Sequence, residues 1–388
     1  MTLQPLAKFD LSTTRKRLIM RVDFNVPLSS KGIILDDERI RAHIPSLEFF
    51  VNHGFQVILL AHLGRPKTEG LYDSALSLAP IAKHLQTLMP HTPIRFIPYK
   101  NHNNNQDIYD HIVSQAHKAQ SPIVCIDNCR FIPGETTNAF SAFLNQLGDH
   151  FILDAFSVSH RAHGSVVGFT GPRYAGPLLT KEQNHLDIFL NQKTTHNRRI
   201  ALVGGSKIST KISALTALAH RVDTLLIGGA MAHVFLAAKG IDIGPSYYEE
   251  SGLSAAKDLL AQSPCPIILP IDAQLSTDIS WDLTNRSLTD PIYDLGPQSI
   301  ALFKDHLQNA DQVLWNGPLG KYEQPPFDKA TTQIGAHLQA QKTATLLGGG
   351  DTCGALKHIS LWPGLTRCLA GGAFLDYVSK NGRLAGLC

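Results

Sequence analysis

Between positions 203 and 211 the chain reads Val-Gly-Gly-Ser-Lys-Ile-Ser-Thr-Lys, and these residue types can hold a phosphate. Paired Gly204 and Gly205 let a backbone approach an anion, and the free N–H groups of a helix's first turn point at it. Lys207 and Lys211 stand four apart, so on a helix they share one face and reach the same polyphosphate. Ser206 occupies the place of the second glycine of a Walker A loop, which excludes that motif. The same letters also describe a plain strand–turn–helix with two solvated lysines, and the stretch alone does not choose.

Similar turns recur at Gly228-Gly229-Ala230, Asn316-Gly317-Pro318 and Gly348-Gly349-Gly350-Asp351-Thr352. Glycine at such places admits a planar base or a phosphate chain. Glu323 has the chemistry to accept bonds from ribose hydroxyls. Asp351 can hold Mg2+ on the phosphates, because hard cations prefer carboxylates. Any one glycine turn is weak evidence; four in register point to a nucleotide.

The first half carries arginines instead. They fall in Arg21-Val22-Asp23-Phe24-Asn25, Asp36-Asp37-Glu38-Arg39-Ile40-Arg41, His62-Leu63-Gly64-Arg65-Pro66, Asn128-Cys129-Arg130-Phe131 and His160-Arg161-Ala162-His163. A single arginine is ordinarily a surface charge. Five at equivalent topological positions describe a socket for a small, highly charged anion, since guanidinium forks bind phosphate and carboxylate bidentately. His160 and His163 are either metal ligands or anion donors beside Arg161, and no third ligand suggests itself.

The elements that must position these residues are short apolar runs separated by helix-length segments. Strands are expected at 18–23, 57–62, 94–98, 123–127 and 151–154, then at 200–203, 224–227, 267–270, 312–315, 344–347 and 367–369. Continuous Ile, Leu and Val runs imply parallel sheets covered on both faces. Eleven strands fit two open sheets better than one eight-stranded barrel. The fold class expected is therefore α/β, with two doubly wound parallel-sheet domains facing a cleft. Gly171-Pro172-Arg173-Tyr174-Ala175-Gly176-Pro177 is dense in helix breakers, and an amphipathic helix with Leu179, Leu186 and Leu190 follows it. The joint is placed there, giving domains at 1–172 and 191–375, a hinge helix at 173–190 and a tail at 376–388. Polar residues 191–197 and the asparagine-rich 102–106 read as loops.

Composition narrows the classes. A chain of 388 residues exceeds one ordinary core, while 43% hydrophobic and 17% charged residues describe a globular protein. The net charge of +3 without like-charge runs argues against a nucleic-acid partner. No apolar run reaches membrane-span length, and the N-terminus lacks a signal-peptide pattern. Six scattered cysteines, none in a Cys-x-x-Cys pair, read as reduced thiols in a cytoplasm. Cys125 and Cys129 lack two further ligands and read as structural. A socket in one half and a nucleotide site in the other suggest phosphoryl transfer between them by a small-molecule kinase.

From about Leu18 to Gly386 the chain resembles the phosphoglycerate kinases. The resemblance rests on Arg21-Val22-Asp23-Phe24-Asn25-Val26-Pro27, His62-Leu63-Gly64-Arg65-Pro66, His160-Arg161-Ala162-His163, Gly204-Gly205-Ser206-Lys207, Trp315-Asn316-Gly317-Pro318 and Gly348-Gly349-Gly350-Asp351-Thr352, in that order. It implies reversible transfer between 1,3-bisphosphoglycerate and ADP, giving 3-phosphoglycerate and MgATP, by a cytoplasmic monomer whose tail returns to the N-terminal domain. By motif match, Asp23, Asn25, Arg39, His62, Arg65, Arg130 and Arg161 would bind phosphoglycerate, with Arg21 and His163 in the same socket. Arg39, Lys207 and Gly371 would serve the transferring group. Lys207 and Lys211 would hold nucleotide phosphates, Glu323 the ribose, and Asp351 with Thr352 the metal–phosphate end. The family usually has Ser-Thr and three glycines where Cys368-Leu369-Ala370-Gly371-Gly372 stands, so closure or phosphate binding is expected to differ there. Leu153 and Ser157 stand where the family has Asn and Gly, and Leu384-Ala385-Gly386 where it has Leu-Pro-Gly. Two other readings are a dehydrogenase, for which a Gly-x-Gly-x-x-Gly fingerprint is missing, and a scaffold that keeps the fold without activity.

Overall fold

The protein is described by a computed structural model covering residues 2–68, 70–101, 104–191, 197–283, 288–357, 364–368 and 370–388. Expectations for His102, Asn103, residues 192–196 and Leu369 lie outside the described residues. The chain forms two compact units, Met1–Gln183 with Arg383–Cys388, and Asn184–Gly382.

The first unit is built on a six-stranded parallel sheet. Its strands are β1 (Arg17–Arg21), β2 (Gln56–Leu60), β3 (Ile94–Ile97), β4 (Ile123–Ile126), β5 (His150–Leu153) and β6 (Arg173–Ala175), ordered β3-β4-β2-β1-β5-β6. Leu18, Ile19 and Met20 are all fully buried, as a strand covered on both faces requires. Its helices are α1 (Glu38–Asn52), α2 (Ala79–Leu88), α3 (Asn105–Lys118), α4 (Phe140–Leu147) and α5 (Gly164–Val167), and α6 (Pro177–Asn191) starts in this unit and ends in the second. In α1, Ile40, His43, Leu47 and Phe50 recur at three- and four-residue spacing and are all buried. Each of the three apolar members contributes about 1.5–3 kcal/mol on burial. His43 shares that inward stripe.

The second unit carries β7 (Arg199–Val203), β8 (Thr224–Ile227), β9 (Ile267–Ile268), β10 (Asp272–Leu275), β11 (Ser280–Asp282), β12 (Ile292–Leu295), β13 (Gln312–Asn316), β14 (Ala344–Gly348) and β15 (Leu365–Cys368). Its parallel sheet runs β15-β14-β13-β7-β8-β9, while β11-β10-β12 form a small antiparallel sheet. Sequence order reverses between β7 and β13, which makes their carboxyl ends a topological switch point. The helices are α7 (Ile212–Ala219), α8 (Gly229–Ala238), α9 (Leu253–Gln262), α10 (Pro297–Leu307), α11 (Lys329–Gln341), α12 (Gly350–Ala355) and α13 (Gly371–Ser379).

The two doubly wound parallel sheets are the expected fold class, but four details differ. Arg173–Ala175 is the edge strand of the first sheet, not the start of a joint, and the boundary between units falls within α6. Residues 376–382 belong to the second unit, and only 383–388 join the first, where Gly386 N donates to Ser159 O at 2.7 Å. The strand expected to reach 270 ends at Ile268, and the antiparallel sheet after it has strands too short and polar to give an apolar run. Finally, α7 starts at Ile212, so Lys207 and Lys211 lie on the turn before the helix and share no helical face.

Candidate active site

In the first unit the arginine-bearing segments converge around His62. Arg21 ends β1 and is only 2% exposed; its Nη1 donates to Val22 O at 2.7 Å, and its Nη2 lies 3.2 Å from His62 Nδ1. Because a guanidinium can only donate, His62 Nδ1 accepts and Nε2 carries the ring proton. Burial holds the His62 pKa well below the usual imidazole value, and the charges of Arg21, Arg130, Arg161 and Arg39 lower it further. His62 is therefore a neutral donor in a positively charged pocket.

The other members are held as firmly. Asp23 Oδ2 accepts from Arg39 Nη1 at 2.6 Å, while its Oδ1 accepts from Asn25 N at 3.0 Å. Asn25 Oδ1 in turn accepts from Gly64 N at 2.8 Å, and the Gly64 carbonyl accepts from Arg130. Burial lowers the Arg130 and Arg161 pKa values, and repulsion adds to it, chiefly from Arg161 on Arg130 and from Arg65 on Arg161. Arg65 is exposed at the rim. These crowded like charges repel one another, and an anion placed among them would relieve that repulsion.

Two supporting groups escape the sequence. His43 Nε2 accepts from the Asp23 N–H at 2.9 Å, and its Nδ1 donates to Asp154 Oδ2 at 2.8 Å. Asp154 Oδ1 also accepts from Leu178 N at 2.8 Å, so the residue behind the Arg39 pair is tied to the first turn of α6. Glu135 supports His163: its Oε2 lies 3.5 Å from His163 Nδ1, an ion-pair distance, and its Oε1 accepts from Ser165. Burial alone would push the Glu135 carboxyl up. Interactions with His163 and Ser165 and the Arg21 charge outweigh it and hold the pKa at about 2. His43 sits on the buried stripe of α1, a signal that was available. Nothing local marks Glu135.

In the second unit the glycine turns knit together at the switch point. Gly204 N donates to Asn316 O at 2.9 Å, Gly205 N to Pro318 O at 2.8 Å, and Gly229 N to Leu319 O at 3.1 Å. Gly317 has φ +96°, and a Cβ there would lie 2.3 Å from Gly204 O, so no other residue fits. Thr352 Oγ1 accepts from Gly317 N at 2.7 Å and donates to Gly348 O at 2.9 Å; Asn316 Nδ2 reaches the same carbonyl at 2.7 Å. These turns wall a cavity of about 710 Å³. Gly205, Lys207, Lys211, Gly229, Pro318 and Glu323 line it, and Asp351 does too. Gly204, Gly228, Asn316, Gly349, Gly350, Thr352 and Gly371 are not among its lining; Gly371 instead packs against Gly349, where an added Cβ would meet Cα at 3.1 Å.

The two lysines differ. Lys211 Nζ donates to Gly204 O at 2.6 Å, and burial brings its pKa down to about 8 against the opposing pull of Asp351. Lys207 is exposed on the same turn. Asp351 is exposed as well, and among the described residues no three His, Cys, Asp or Glu side chains gather to hold a metal. Cys125 and Cys129 are buried thiols, both pushed up to about 12 chiefly by burial, as structural cysteines are.

A crowded cationic socket in one unit and a glycine-walled cavity at a switch point in the other have the chemistry that an α/β enzyme acting on anionic ligands would use. The family model described as phosphoglycerate kinase matches residues 9–381, and the chain belongs to that family. It is 38% identical over 384 residues to a protein of Coprothermobacter proteolyticus named phosphoglycerate kinase, covering 95% of this chain and 94% of that one. A relative of the same name from Lactobacillus acidophilus is 35% identical over 395 residues, covering 95% of each. Among solved structures, phosphoglycerate kinase from Coxiella burnetii superposes with a TM-score of 0.80 at 31% identity, over 99% of this chain and 97% of that one. The Pyrococcus horikoshii phosphoglycerate kinase shares the fold, with a TM-score of 0.83 at 24% identity over 99% and 98% of the two chains.

Proposed function

We propose that this chain is an active glycolytic phosphoglycerate kinase, moving a phosphoryl group reversibly between 1,3-bisphosphoglycerate and ADP. A β-phosphate oxygen of ADP attacks the acyl phosphate; the bond from phosphorus to the C1 oxygen breaks, and its electron pair stays on the carboxylate of 3-phosphoglycerate. No covalent enzyme intermediate is needed, so positioning and charge neutralisation carry the catalysis. The observation that supports this best is the gathering of Arg21, Arg39, Arg130 and Arg161 around neutral His62. That socket would hold the phosphoglycerate, with Asp23 and Asn25 fixing its walls and Arg65 and His163 at its edge. Arg39 would turn to the transferring group.

Lys207 and Lys211 would neutralise the nucleotide phosphates, and Glu323 would accept from the ribose. Mg2+ arrives with the nucleotide as part of the substrate. One exposed carboxylate, Asp351, suits an ion that keeps most of its ligands as phosphate and water. Gly204, Gly228, Asn316, Gly349, Gly350, Thr352 and Gly371 would act through the shape of the turns. Transfer requires the two substrates to meet, hence a closure of the domains about α6, within which the units part. A cytoplasmic monomer is the form the family resemblance implies, and all six cysteines are free thiols.

A coupled assay of ATP formation from 1,3-bisphosphoglycerate and MgADP tests the reading, with turnover expected. Nucleotide binding without any turnover would establish instead a weakened protein that keeps the kinase fold.

A further inference from the structure

Lys207, Lys211 and Asp351 line the cavity of the second unit together with Leu236, Tyr247, Ile292 and Tyr293. A nucleotide whose phosphates meet the lysines has to place its base elsewhere along the same lining. Helix α8 contributes to that lining from the glycine turn, where Gly229 opens it, to Leu236, two helical turns further on. His233 stands between them, about 6 Å along the axis from Gly229. It lines the cavity and is 5% exposed.

Its hydrogen bonding is settled by one contact. His233 Nδ1 lies 2.8 Å from the Tyr247 carbonyl, which can only accept, so Nδ1 carries the proton. Burial lowers the pKa of the ring, against the opposing effect of the Tyr247 bond, and keeps it neutral near pH 7. A neutral ring protonated at Nδ1 presents a lone pair at Nε2. With Nδ1 engaged by Tyr247, that acceptor is the ring's remaining polar atom, on a side chain that lines the cavity and is nearly buried.

We infer that His233 reads the nucleobase: its Nε2 accepts a hydrogen bond from an N–H on the base edge and so selects an amino-bearing purine. The inference rests on the kinase reading for the presence of a nucleotide and adds the residue that sets base preference. A base without a donor leaves the acceptor buried and unsatisfied. Such a loss weakens binding by roughly tenfold or more, as for other sites built to bond a polar group.

The probe is purine riboside 5′-diphosphate, which has the ring, ribose and phosphates of ADP without the amino group. Calorimetry on the full chain is expected to show ADP binding roughly tenfold tighter than this analogue. In His233→Phe and His233→Leu, which offer no acceptor, the two ligands should bind within about twofold of each other. His233→Gln can donate to Tyr247 through its amide nitrogen and accept through its oxygen, so it should restore part of the preference. Equal binding of both ligands by the wild-type chain overturns the inference, whatever the variants do. So does a preference that survives in His233→Phe or His233→Leu, because a different group then reads the base. A wild-type chain that binds neither ligand overturns the kinase reading itself, which sets that failure apart.

Discussion

At the scale of single residues, the chemistry of the first unit depends on who neutralises whom. Arg39 is paired with Asp23 at 2.6 Å and half-buried, so it is held ready by a carboxylate whose own position His43 fixes. If Arg39 serves the transferring group, Arg39→Ala should lower kcat and kcat/KM together, since the lost contact exists only in the transition state. A rise in KM with kcat intact would make it a ground-state binder. Arg39→Lys should recover little, because a point charge cannot replace a planar fork. Glu135 gives a stability prediction with a definite sign. Its folded pKa of about 2 lies below the ordinary 4.5, so its contribution is complete above pH 4.5 and disappears as pH falls toward 2. The loss is about 3 kcal/mol from that shift. Urea denaturation of the wild type should therefore weaken more steeply between pH 5 and pH 2 than that of Glu135→Gln. Parallel pH profiles would refute the assignment.

At the scale of elements, the strand–turn–helix units were legible because each is local. Apolar runs such as Leu18-Ile19-Met20 and Ile200-Ala201-Leu202 announce buried parallel strands, and the glycine or arginine after each run marks its carboxyl end. What escaped was either non-local or weak in pattern. His43 meets partners 20 and 111 residues away, and Glu135 meets His163 only through the fold. The strands β10 to β12 are three or four residues long, and Ser280-Trp281-Asp282 has no apolar run to show. The spacing of Lys207 and Lys211 suits one helical face, but the segment that carries them forms the turn before α7, which begins at Ile212. That turn separates the lysines in kind: Lys211 is tied to Gly204 O, whereas Lys207 is exposed. Lys207→Ala should then depress kcat by roughly a hundredfold, the scale for losing one placed charge donor, with little effect on ATP affinity. Lys211→Ala should weaken ATP binding as well as slow turnover. Dissociation constants and kcat for both variants decide it; reversed effects would exchange the roles, and near-normal turnover in both would leave two ordinary lysines.

At the scale of the whole molecule, each proposed ligand site draws its residues from one unit. The residues from Arg21 to His163 all lie in Met1–Gln183, and the cavity lining from Gly205 to Asp351 lies wholly in Asn184–Gly382. No hydrogen bond described for the socket uses a residue of the second unit, and the glycine turns close on themselves at the β7–β13 switch point. Occupation of either site should therefore not require the other, even though turnover requires both. The full chain allows a direct test by calorimetry. Arg130→Ala removes a socket cation, and should weaken 3-phosphoglycerate by roughly tenfold or more while ADP binds as in the wild type. Lys211→Ala should do the converse, weakening ADP and leaving 3-phosphoglycerate unchanged. Each variant doubles as the folding control for the other, because the untouched ligand reports on a native unit. Should Arg130→Ala weaken both ligands equally, or Lys211→Ala do so, the sites are energetically one, and the division of labour between the two units fails.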